Sequence, residues 1–509
     1  MSARIFHSLY QKGSPFALID CRERRDYVDG HWFGSVNIPL SLITHKIRTL
    51  IPDTKFPVHV LDWQDKASRA AIGRLRDLGY KTVTPHPVEA PAAMGDGFVR
   101  GEYVWSKAFG EVVAHAIDLP EITPADYIAN YQDALLFDVR PTAEYCLFTL
   151  PQSQSLPNSL LLTNTEPLRN TGKMALLHCA GRTRSIIGAC TLQAAGYDGP
   201  FAIFKGGTQA WQLDGHEREH GANRLFASED NTTEAAEAFL RRWQISFLHI
   251  TPGDASAWIA SQKDALLFDV SDDAATGVRL VGGVIKVSGT NLIQQTDRSI
   301  ARYHVPVVLF DIGSGSRAAF AAYWLRAMGF DVQVAFLTAA IATAVDKPVA
   351  SIAEQPVQRL TAEDLEITKT TSSALVDFRP SDAFNSGHID GSIWGNISEF
   401  LGQKPDKRPI VIIADTALDG DEIAGLLGHE GWQIAGIFCW QDQHSALGSL
   451  EQGGVESPID ESALFAGRHH GVLQDARDYL AWEEALPDEI DQDIHHLWQT
   501  LLAAKPANG

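Results

Sequence analysis

The chain has 509 residues, of which 45% are hydrophobic and 21% charged, a composition that argues against disordered, collagen-like or low-complexity sequence. Its 42 basic and 63 acidic side chains give a formal net charge of −21, which disfavours binding to nucleic acid or to an anionic membrane. Five cysteines are too few for a disulfide framework, and we find neither a run of ~20 apolar residues nor a secretory signal. We therefore expect a cytoplasmic protein in which a free thiol can act chemically.

A short apolar run that ends in aspartate occurs four times along the chain. The aspartates are Asp20, Asp138, Asp269 and Asp377, in the segments ALIDCR, LLFDVR, LLFDVS and ALVDFR. Such runs are typical of buried parallel strands whose last residue meets solvent. Before three of them, a threonine followed by proline or alanine predicts the start of a helix.

Each of these strands is followed by a second apolar strand, a loop and a helix. The four helices are predicted to end at the glycines of Gly-aromatic pairs, Gly79, Gly196, Gly329 and Gly431. Strands that alternate with helices predict a parallel α/β sheet in each unit. We place the units at residues 1–118, 119–244, 245–355 and 356–464, followed by a C-terminal helical tail at 465–509.

One thiol stands where a predicted strand turns into a helix. Cys179 follows the strand that contains Ala175 to Leu177 and precedes a helix predicted from about Ser185 to Ala195. Backbone N–H groups and the positive end of the helix dipole favour thiolate at this position, and Arg182 and Arg184 should add two positive charges. When the loops are aligned on their Gly-aromatic pairs, Asp62, Ile312 and Ala414 occupy the equivalent position in the other units.

The motifs in three units resemble those of the rhodanese family of sulfurtransferases. The first motif appears as DCRERRDYVDGHWFGSVNIP from Asp20 and as DFRPSDAFNSGHIDGSIWGN from Asp377, while the unit of Asp138 keeps DVRPTAEY and lacks Gly-His. The second motif is the loop HCAGRTRS, followed by FKGGTQAW. The resemblance implies four tandem rhodanese-like domains, each with a mostly parallel five-stranded sheet flanked by helices, plus the C-terminal helical segment. Only the domain of Cys179 would be catalytic.

The predicted activity is transfer of sulfur from thiosulfate, or from a similar anionic donor, to cyanide or a thiol. The Cys179 thiolate would attack the outer sulfur, sulfite would leave, and a persulfide would remain. We expect no cofactor, no metal, no nucleic acid and no membrane; the partners would be the small donor and acceptor, or a protein in either role. The predicted substrate-binding residues are Ala180, Gly181, Arg182, Thr183, Arg184 and Ser185.

Other interpretations of the same loop remain open. Phosphatases of the C-x5-R type would need an arginine at the position of Ser185, and mercaptopyruvate-type relatives have a less basic loop, which favours thiosulfate. The protein could instead carry a persulfide between partner proteins, or be a non-catalytic multidomain interaction protein. Near the loop, we expect Asp138 and Arg140 to form a structural pair and His178 to be bonded to the backbone. The pair His469 and His470 is expected at the surface.

Overall fold

The computed structural model describes residues 5–226, 232–262, 264–271, 276–279, 284–337, 357–369 and 373–503. Within these ranges the chain forms an α/β structure with four mostly parallel sheets flanked by helices and one two-stranded antiparallel ribbon. The four large sheets contain four, five, six and four strands in chain order.

The first region contains a four-stranded parallel sheet with strand order β3-β1-β4-β5 and the antiparallel ribbon of β2 with β6. Its elements are α1 (Ile5–Tyr10), β1 (Ala17–Asp20), α2 (Arg24–Asp29), β2 (His31–Trp32), β3 (Val36–Asn37), α3 (Ile43–Leu50), β4 (Val58–Asp62), α4 (Lys66–Asp77), β5 (Val83–Pro87), β6 (Phe98–Val99) and α5 (Val104–Ala116).

The second region forms a five-stranded parallel sheet with strand order β7-β11-β10-β8-β9. Its elements are β7 (Glu121–Ile122), α6 (Pro124–Asn130), β8 (Leu135–Asp138), α7 (Thr142–Leu147), β9 (Gln154–Ser155), α8 (Thr165–Asn170), β10 (Ala175–His178), α9 (Thr183–Ala194), β11 (Phe201–Phe204) and α10 (Gly207–Leu213).

The third region forms a six-stranded sheet with strand order β12-β17-β16-β13-β15-β14, in which only β14 is antiparallel to its neighbour. Its elements are α11 (Glu234–Arg242), β12 (Ser246–Ile250), α12 (Pro252–Ser261), β13 (Leu266–Asp269), β14 (Thr276–Arg279), β15 (Ile285–Val287), α13 (Gly289–Gln294), α14 (Thr296–Ser299), β16 (Val307–Ile312), α15 (Ser316–Ala327) and β17 (Val332–Leu337).

The fourth region forms a four-stranded parallel sheet with strand order β19-β18-β20-β21, and two long helices follow it. Its elements are α16 (Ala362–Lys369), β18 (Ala374–Asp377), α17 (Ser381–Ser386), β19 (Ile393–Trp394), α18 (Ile397–Gly402), β20 (Ile410–Ala414), α19 (Ala417–His429), β21 (Ile434–Cys439) and α20 (Trp440–Gln443). A 3-10 turn at Ala466–His469 then leads into α21 (Leu473–Glu489) and α22 (Gln492–Leu502).

The repeated strand, helix and glycine pattern of the sequence is confirmed. The strands β1, β8, β13 and β18 each end at the predicted aspartate, and each equivalent helix ends beside a glycine of positive φ. The expectation of five strands per sheet is correct only for the second region. In the fourth, the strand equivalent to β7 is reduced to a single bridge between Arg359 and Ile437, and the third gains the antiparallel β14. An edge strand is paired on one side only, so it is the strand that is most easily shortened or added.

The register of the sheets corrects one position of the sequence alignment. Asp138 pairs with His178, and Asp269 pairs with Phe310, so Asp311 rather than Ile312 is equivalent to Cys179. The loop of the third region is one residue longer than the loop after β10, which is why alignment on the closing glycine misplaced it. A carboxyl group therefore occupies the thiol position in that region.

The C-terminal helices return to the centre of the molecule. Helix α21 packs on α5 and α10, and α22 packs on α5 and α15. The Trp498 indole is fully buried and its Nε1 donates to the carbonyl of Met328 at 3.1 Å. Each of the described helices is too short or too polar to cross a lipid bilayer.

Candidate active site

Cys179 lies at the carboxyl end of the second sheet, directly after β10 and four residues before α9 begins. Its residue surface is only 2% exposed, and it borders a cavity of about 160 Å³. The predicted residues Ala180 to Arg184 line the same cavity. Residues from elsewhere in the second region, from the first and third regions and from the C-terminal segment complete the wall: Tyr103, Lys107, Glu144, Gln209, Gln294, Gln295, Arg468, His469, Tyr479 and Glu483.

The start of α10 fixes the curvature of the cysteine loop. The backbone N–H of Thr208 donates to the carbonyl of Cys179, and that of Gln209 donates to the carbonyl of Ala180, both at 3.0 Å. Gly207 has φ of +54°, and a Cβ built there would lie 2.2 Å from the Cys179 carbonyl oxygen. Because α10 holds the loop carbonyls on its own side, the loop is free to direct its N–H groups elsewhere. The pair Gly206-Gly207 therefore fixes the shape of the cysteine loop in addition to forming the turn between β11 and α10.

The N-terminus of α9 differs from those of the equivalent helices in the other regions. No acceptor among the described residues binds the backbone N–H groups of Ala180, Gly181 and Arg182, and α9 has no side-chain cap. By contrast, Asp65 caps α4, and Thr416 with Asp419 forms a capping box on α19.

In the third region, the carboxylate of Asp311 accepts from the N–H of Ala318 in the first turn of α15. Three of the four helix N-termini are therefore satisfied by acceptors from the chain itself. Of these four helices, α9 alone keeps its donors for an external anion, and it alone follows a thiol.

Ser185 is the nearest hydroxyl to the thiol. Its Oγ lies 3.8 Å from the Cys179 Sγ and donates to the carbonyl of Arg182 at 2.8 Å. Ser185 thus stabilises the loop through this hydrogen bond and does not line the cavity, whereas Ala180 to Arg184 form part of the cavity wall.

The two loop arginines, which the sequence predicts to add positive charge beside the thiol, both have carboxylate partners in the structure. Arg182 donates through Nε and Nη2 to Glu111, both at 2.9 Å, and its Nη1 lies 2.8 Å from Glu484. Arg184 donates through Nη1 to both carboxylate oxygens of Glu144 at 2.8 Å. Each loop arginine is thus paired with a carboxylate, which reduces the net positive charge that the loop presents to the cavity.

The N-terminal half of α5 and the C-terminal helix α21 place a buried polar cluster beside the loop. Lys107, which is 6% exposed, bonds through Nζ to the Tyr479 hydroxyl and lies 3.9 Å from Glu483. Glu483 accepts from the Thr183 hydroxyl, and its other oxygen is buried without a hydrogen-bond partner. Burial opposes the charged form of Lys107, but Tyr479 and Glu483 outweigh this effect and raise its pKa.

Glu111 is the most unusual ionisable group on α5. Its side chain is fully buried, and burial raises its pKa to about 7 even though Arg182 favours the charged carboxylate. Arg182 nevertheless keeps the half-exposed Glu484 as a second carboxylate partner. The sequence does not predict that Glu111 lies near the cysteine loop, because most of the residues of α5 are apolar.

Asp138 and Arg140, for which the sequence predicts a structural pair, form a buried ion pair. Arg140 donates through Nε and Nη2 to the Asp138 carboxylate, with a shortest distance of 2.7 Å, and both residues are buried. The pairs of Asp377 with Arg379 and of Asp20 with Arg22 repeat this geometry in regions that have no thiol at the position equivalent to Cys179. Burial disfavours the charged form of Asp138, but Arg140 outweighs it and lowers the pKa to about 2.

His178 is a buried neutral group. Its Nε2 lies 2.7 Å from the Ser153 hydroxyl, and burial lowers its pKa to about 4. The sequence predicted a structural role with a backbone partner; the role holds, and the partner is a serine side chain. The remaining cysteines are also free. Burial raises the pKa of Cys190 to about 12 and raises that of Cys21 and Cys439, so these thiols are poor nucleophiles.

Several residues of the cavity were not found from the sequence. Gln209 is 1% exposed and both atoms of its side-chain amide are buried without a partner. It lies within the FKGGTQAW motif, which was assigned a packing role only. Lys107, Arg468, Tyr479 and Glu483 carried no local signal, and His469, which was expected at the surface, forms part of the cavity wall.

The amino-acid sequence of this chain matches a known protein family. The model of the rhodanese-like domain matches residues 2–85 and 123–214. The thiosulfate sulfurtransferase GlpE of Shewanella oneidensis is 31% identical over 89 residues, which cover 16% of this chain and 88% of that protein. The chain belongs to the rhodanese family. These relatives support a sulfurtransferase in general.

A solved structure extends this likeness in fold to nearly the whole chain. The crystal structure of a thiosulfate sulfurtransferase from Pseudomonas aeruginosa has a TM-score of 0.79 at 24% identity, covering 97% of this chain and 98% of that one. At this identity the likeness concerns the fold alone. The rhodanese-family chain thus shares an entire multi-sheet architecture with a solved protein.

Proposed function

We propose that the protein transfers sulfur from thiosulfate, or from a similar small anionic donor, to cyanide or a thiol through a persulfide on Cys179. The observation that carries this proposal is the contrast between the four helix N-termini. Three receive acceptors from the chain itself, while at α9 no acceptor among the described residues binds the N–H groups of Ala180, Gly181 and Arg182 beside the thiol. Such donors favour a thiolate and stabilise anions that form next to it.

The reaction consists of two displacements at sulfur. The thiolate of Cys179 attacks the outer sulfur of thiosulfate; a new S–S bond forms, the S–S bond of thiosulfate breaks, and its electron pair leaves on sulfite. The acceptor then attacks the outer sulfur of the persulfide, and the electron pair of that bond returns to Cys179. The loop N–H groups stabilise the persulfide anion between the two steps. Both steps are nucleophilic substitutions that need no cofactor or metal.

The burial of the Cys179 thiol favours small molecules as sulfur donor and acceptor. Cys179 is 2% exposed and reaches solvent through a cavity of about 160 Å³. Thiosulfate, cyanide and a slender thiol fit such a cavity more readily than the surface of a protein donor does. This geometry favours direct turnover over the protein-to-protein carrier, which would need an exposed sulfur.

We further propose that only the domain of residues 119–244 is catalytic. The domains of residues 1–118, 245–355 and 356–464 would act as scaffold, and the tail of residues 465–509 would close the cavity. Five free cysteines fit a reducing compartment such as the cytoplasm. The loop residues Ala180 to Arg184, with Ser185 beneath them, would bind the donor chiefly through backbone N–H groups.

Intact-protein mass after incubation with thiosulfate tests the proposal. We expect the wild-type chain to gain one sulfur, about 32 Da for a persulfide formed by this covalent step, and to lose it on addition of cyanide. Cys179→Ala should gain nothing, and the matched control Cys190→Ala should behave as wild type. A persulfide that persists in Cys179→Ala, or a wild-type protein that never gains sulfur, would disprove the proposal.

A further inference from the structure

The positively charged side chains that line the cavity differ in whether a carboxylate lies beside them. Arg182 and Arg184 are each bound to carboxylates, and Lys107 lies close to the carboxylate of Glu483. An anionic donor that enters the cavity therefore needs a cation that is not already paired. Among the cavity-lining side chains, Arg468 is the one for which the described residues provide no carboxylate.

Arg468 belongs to the 3-10 turn that precedes α21. Its Nη1 donates to the carbonyl of Phe465 at 2.9 Å, and its guanidinium lies over the ring of Tyr479 at 4.8 Å. Its Nε is buried without a hydrogen-bond partner. The side chain is thus held in place by a carbonyl and an aromatic ring, neither of which neutralises its charge.

A second arginine strengthens the positive field on the same side. Arg218 donates through Nη2 to the carbonyl of His469 at 2.8 Å, and its guanidinium lies 4.2 Å from the ring of Phe148. Its Nε and Nη1 are buried without acceptors. The described residues provide no carboxylate for Arg218 either, so the charges of Arg218 and Arg468 add to each other.

The pKa of the His469 imidazole is lowered by burial and by the positive charge of these arginines. Burial and, after it, the neighbouring guanidinium groups of Arg468, Arg218, Arg140 and Arg184 together lower its pKa to about 3. Of these four arginines, Arg140 is paired with Asp138 and Arg184 with Glu144. Among the described residues, Arg468 and Arg218 thus have no carboxylate partner; Arg468 belongs to the C-terminal segment, and Arg218 is bonded to that segment at the carbonyl of His469.

We propose that Arg468, supported by Arg218, forms an anion-binding subsite for the head group of the sulfur donor. This inference rests on the proposed function of Cys179. In thiosulfate, the sulfonate oxygens would accept hydrogen bonds from Arg468 while the outer sulfur faces Cys179. The two displacements described above are unchanged, and sulfite departs from the subsite. The substrate class is a small molecule that carries an anionic head next to its transferable sulfur.

The test compares Arg468→Gln with the matched control Arg477→Gln, an exposed arginine of α21 outside the cavity wall. The first readout is the rate at which Cys179 is alkylated by iodoacetate relative to neutral iodoacetamide, followed by mass mapping of the peptide that contains Cys179. We expect Arg468→Gln to lower this ratio roughly tenfold, as for loss of one charge-assisted hydrogen bond, with little change in the iodoacetamide rate. Arg477→Gln should leave the ratio within twofold of wild type.

The second readout is steady-state turnover of thiosulfate with cyanide. Arg468→Gln should raise the KM for thiosulfate about tenfold or more while kcat stays within a fewfold, and Arg468→Lys should recover most of the loss. If wild type does not turn over thiosulfate, the proposed function fails, yet the alkylation ratio still decides the subsite. An unchanged ratio in Arg468→Gln, or a ratio lost equally in Arg468→Lys, overturns the assignment of the anion charge to Arg468.

Discussion

Gly207→Ala should inactivate the protein while removing only a modest part of its stability. The Cβ of an alanine at this position would lie 2.2 Å from the carbonyl oxygen of Cys179 and 3.0 Å from that of Gly181. Real contacts of this kind start at about 3.0 Å, so the Cys179 carbonyl must move by about 0.8 Å. The opposing atoms are backbone, which cannot rotate away as a flexible side chain can.

The magnitude follows from two separate terms. An alanine forced into the left-handed region at φ of +54° loses about 1 kcal/mol of folding free energy. A displacement of nearly 1 Å at the nucleophile costs about 100-fold in rate, because the thiol and the loop N–H groups lose their common geometry. The change in activity should thus far exceed what the change in stability explains.

Gly215→Ala supplies the matched control. Gly215 follows α10 and has φ of +86°, and the methyl group of an alanine there would have no described atom within 4 Å. This variant should lose a similar ~1 kcal/mol in urea unfolding but keep the wild-type rate in the thiosulfate and cyanide assay. Equal rates in Gly207→Ala and wild type would refute the argument that α10 sets the shape of the cysteine loop.

Three further predictions follow from the buried ion pairs and from the shifted pKa values of Asp138 and Glu111. Asp138→Asn removes the bidentate carboxylate of the buried Arg140 guanidinium, so it should lose about 3 kcal/mol in urea unfolding, and Asp377→Asn, which breaks the same pair in a region with no thiol at the position of Cys179, should lose a similar amount. Because the pKa of Asp138 is lowered to about 2, its stabilising contribution is present above about pH 4 and is lost as the pH falls through 2, which acid unfolding of wild type against Asp138→Asn should show. Because the pKa of Glu111 is raised from 4.5 to about 7, its contribution is complete below about pH 4.5 and is lost as the pH rises through 7; Tm should fall between pH 5 and 8 in wild type and less in Glu111→Gln.

Much of the fold could be read from local patterns. Apolar runs that end in Asp20, Asp138, Asp269 and Asp377 became buried parallel strands, because a strand covered on both faces needs a continuous apolar run. The glycines at the helix ends adopt positive φ, which other residues rarely do. The strand count failed at sheet edges, where pairing on one side leaves the sequence weakly constrained.

The candidate nucleophile was also a local prediction, whereas its surroundings were not. A cysteine between an apolar strand and a helix, followed by glycine, specifies the position of Cys179 by short-range geometry alone. Pairing of Arg182 with Glu111 joins residues 71 positions apart, and the contact of Thr183 with Glu483 joins residues 300 apart. The sequence around Glu111 and around Glu483 contains no motif that would mark either residue as a partner of the cysteine loop.

The sequence by itself determined that the chain contains repeated α/β units and that, of the four equivalent loops, only the one in the second unit carries a thiol at the position of Cys179, since both depend on residues that are neighbours along the chain. Only the tertiary structure decided which charges act at the thiol. Packing of α5 and α21 against the loop neutralised Arg182 and brought Arg468 and Lys107 into the cavity. Electrostatic fields depend on distance through space, and composition along the chain does not encode that distance.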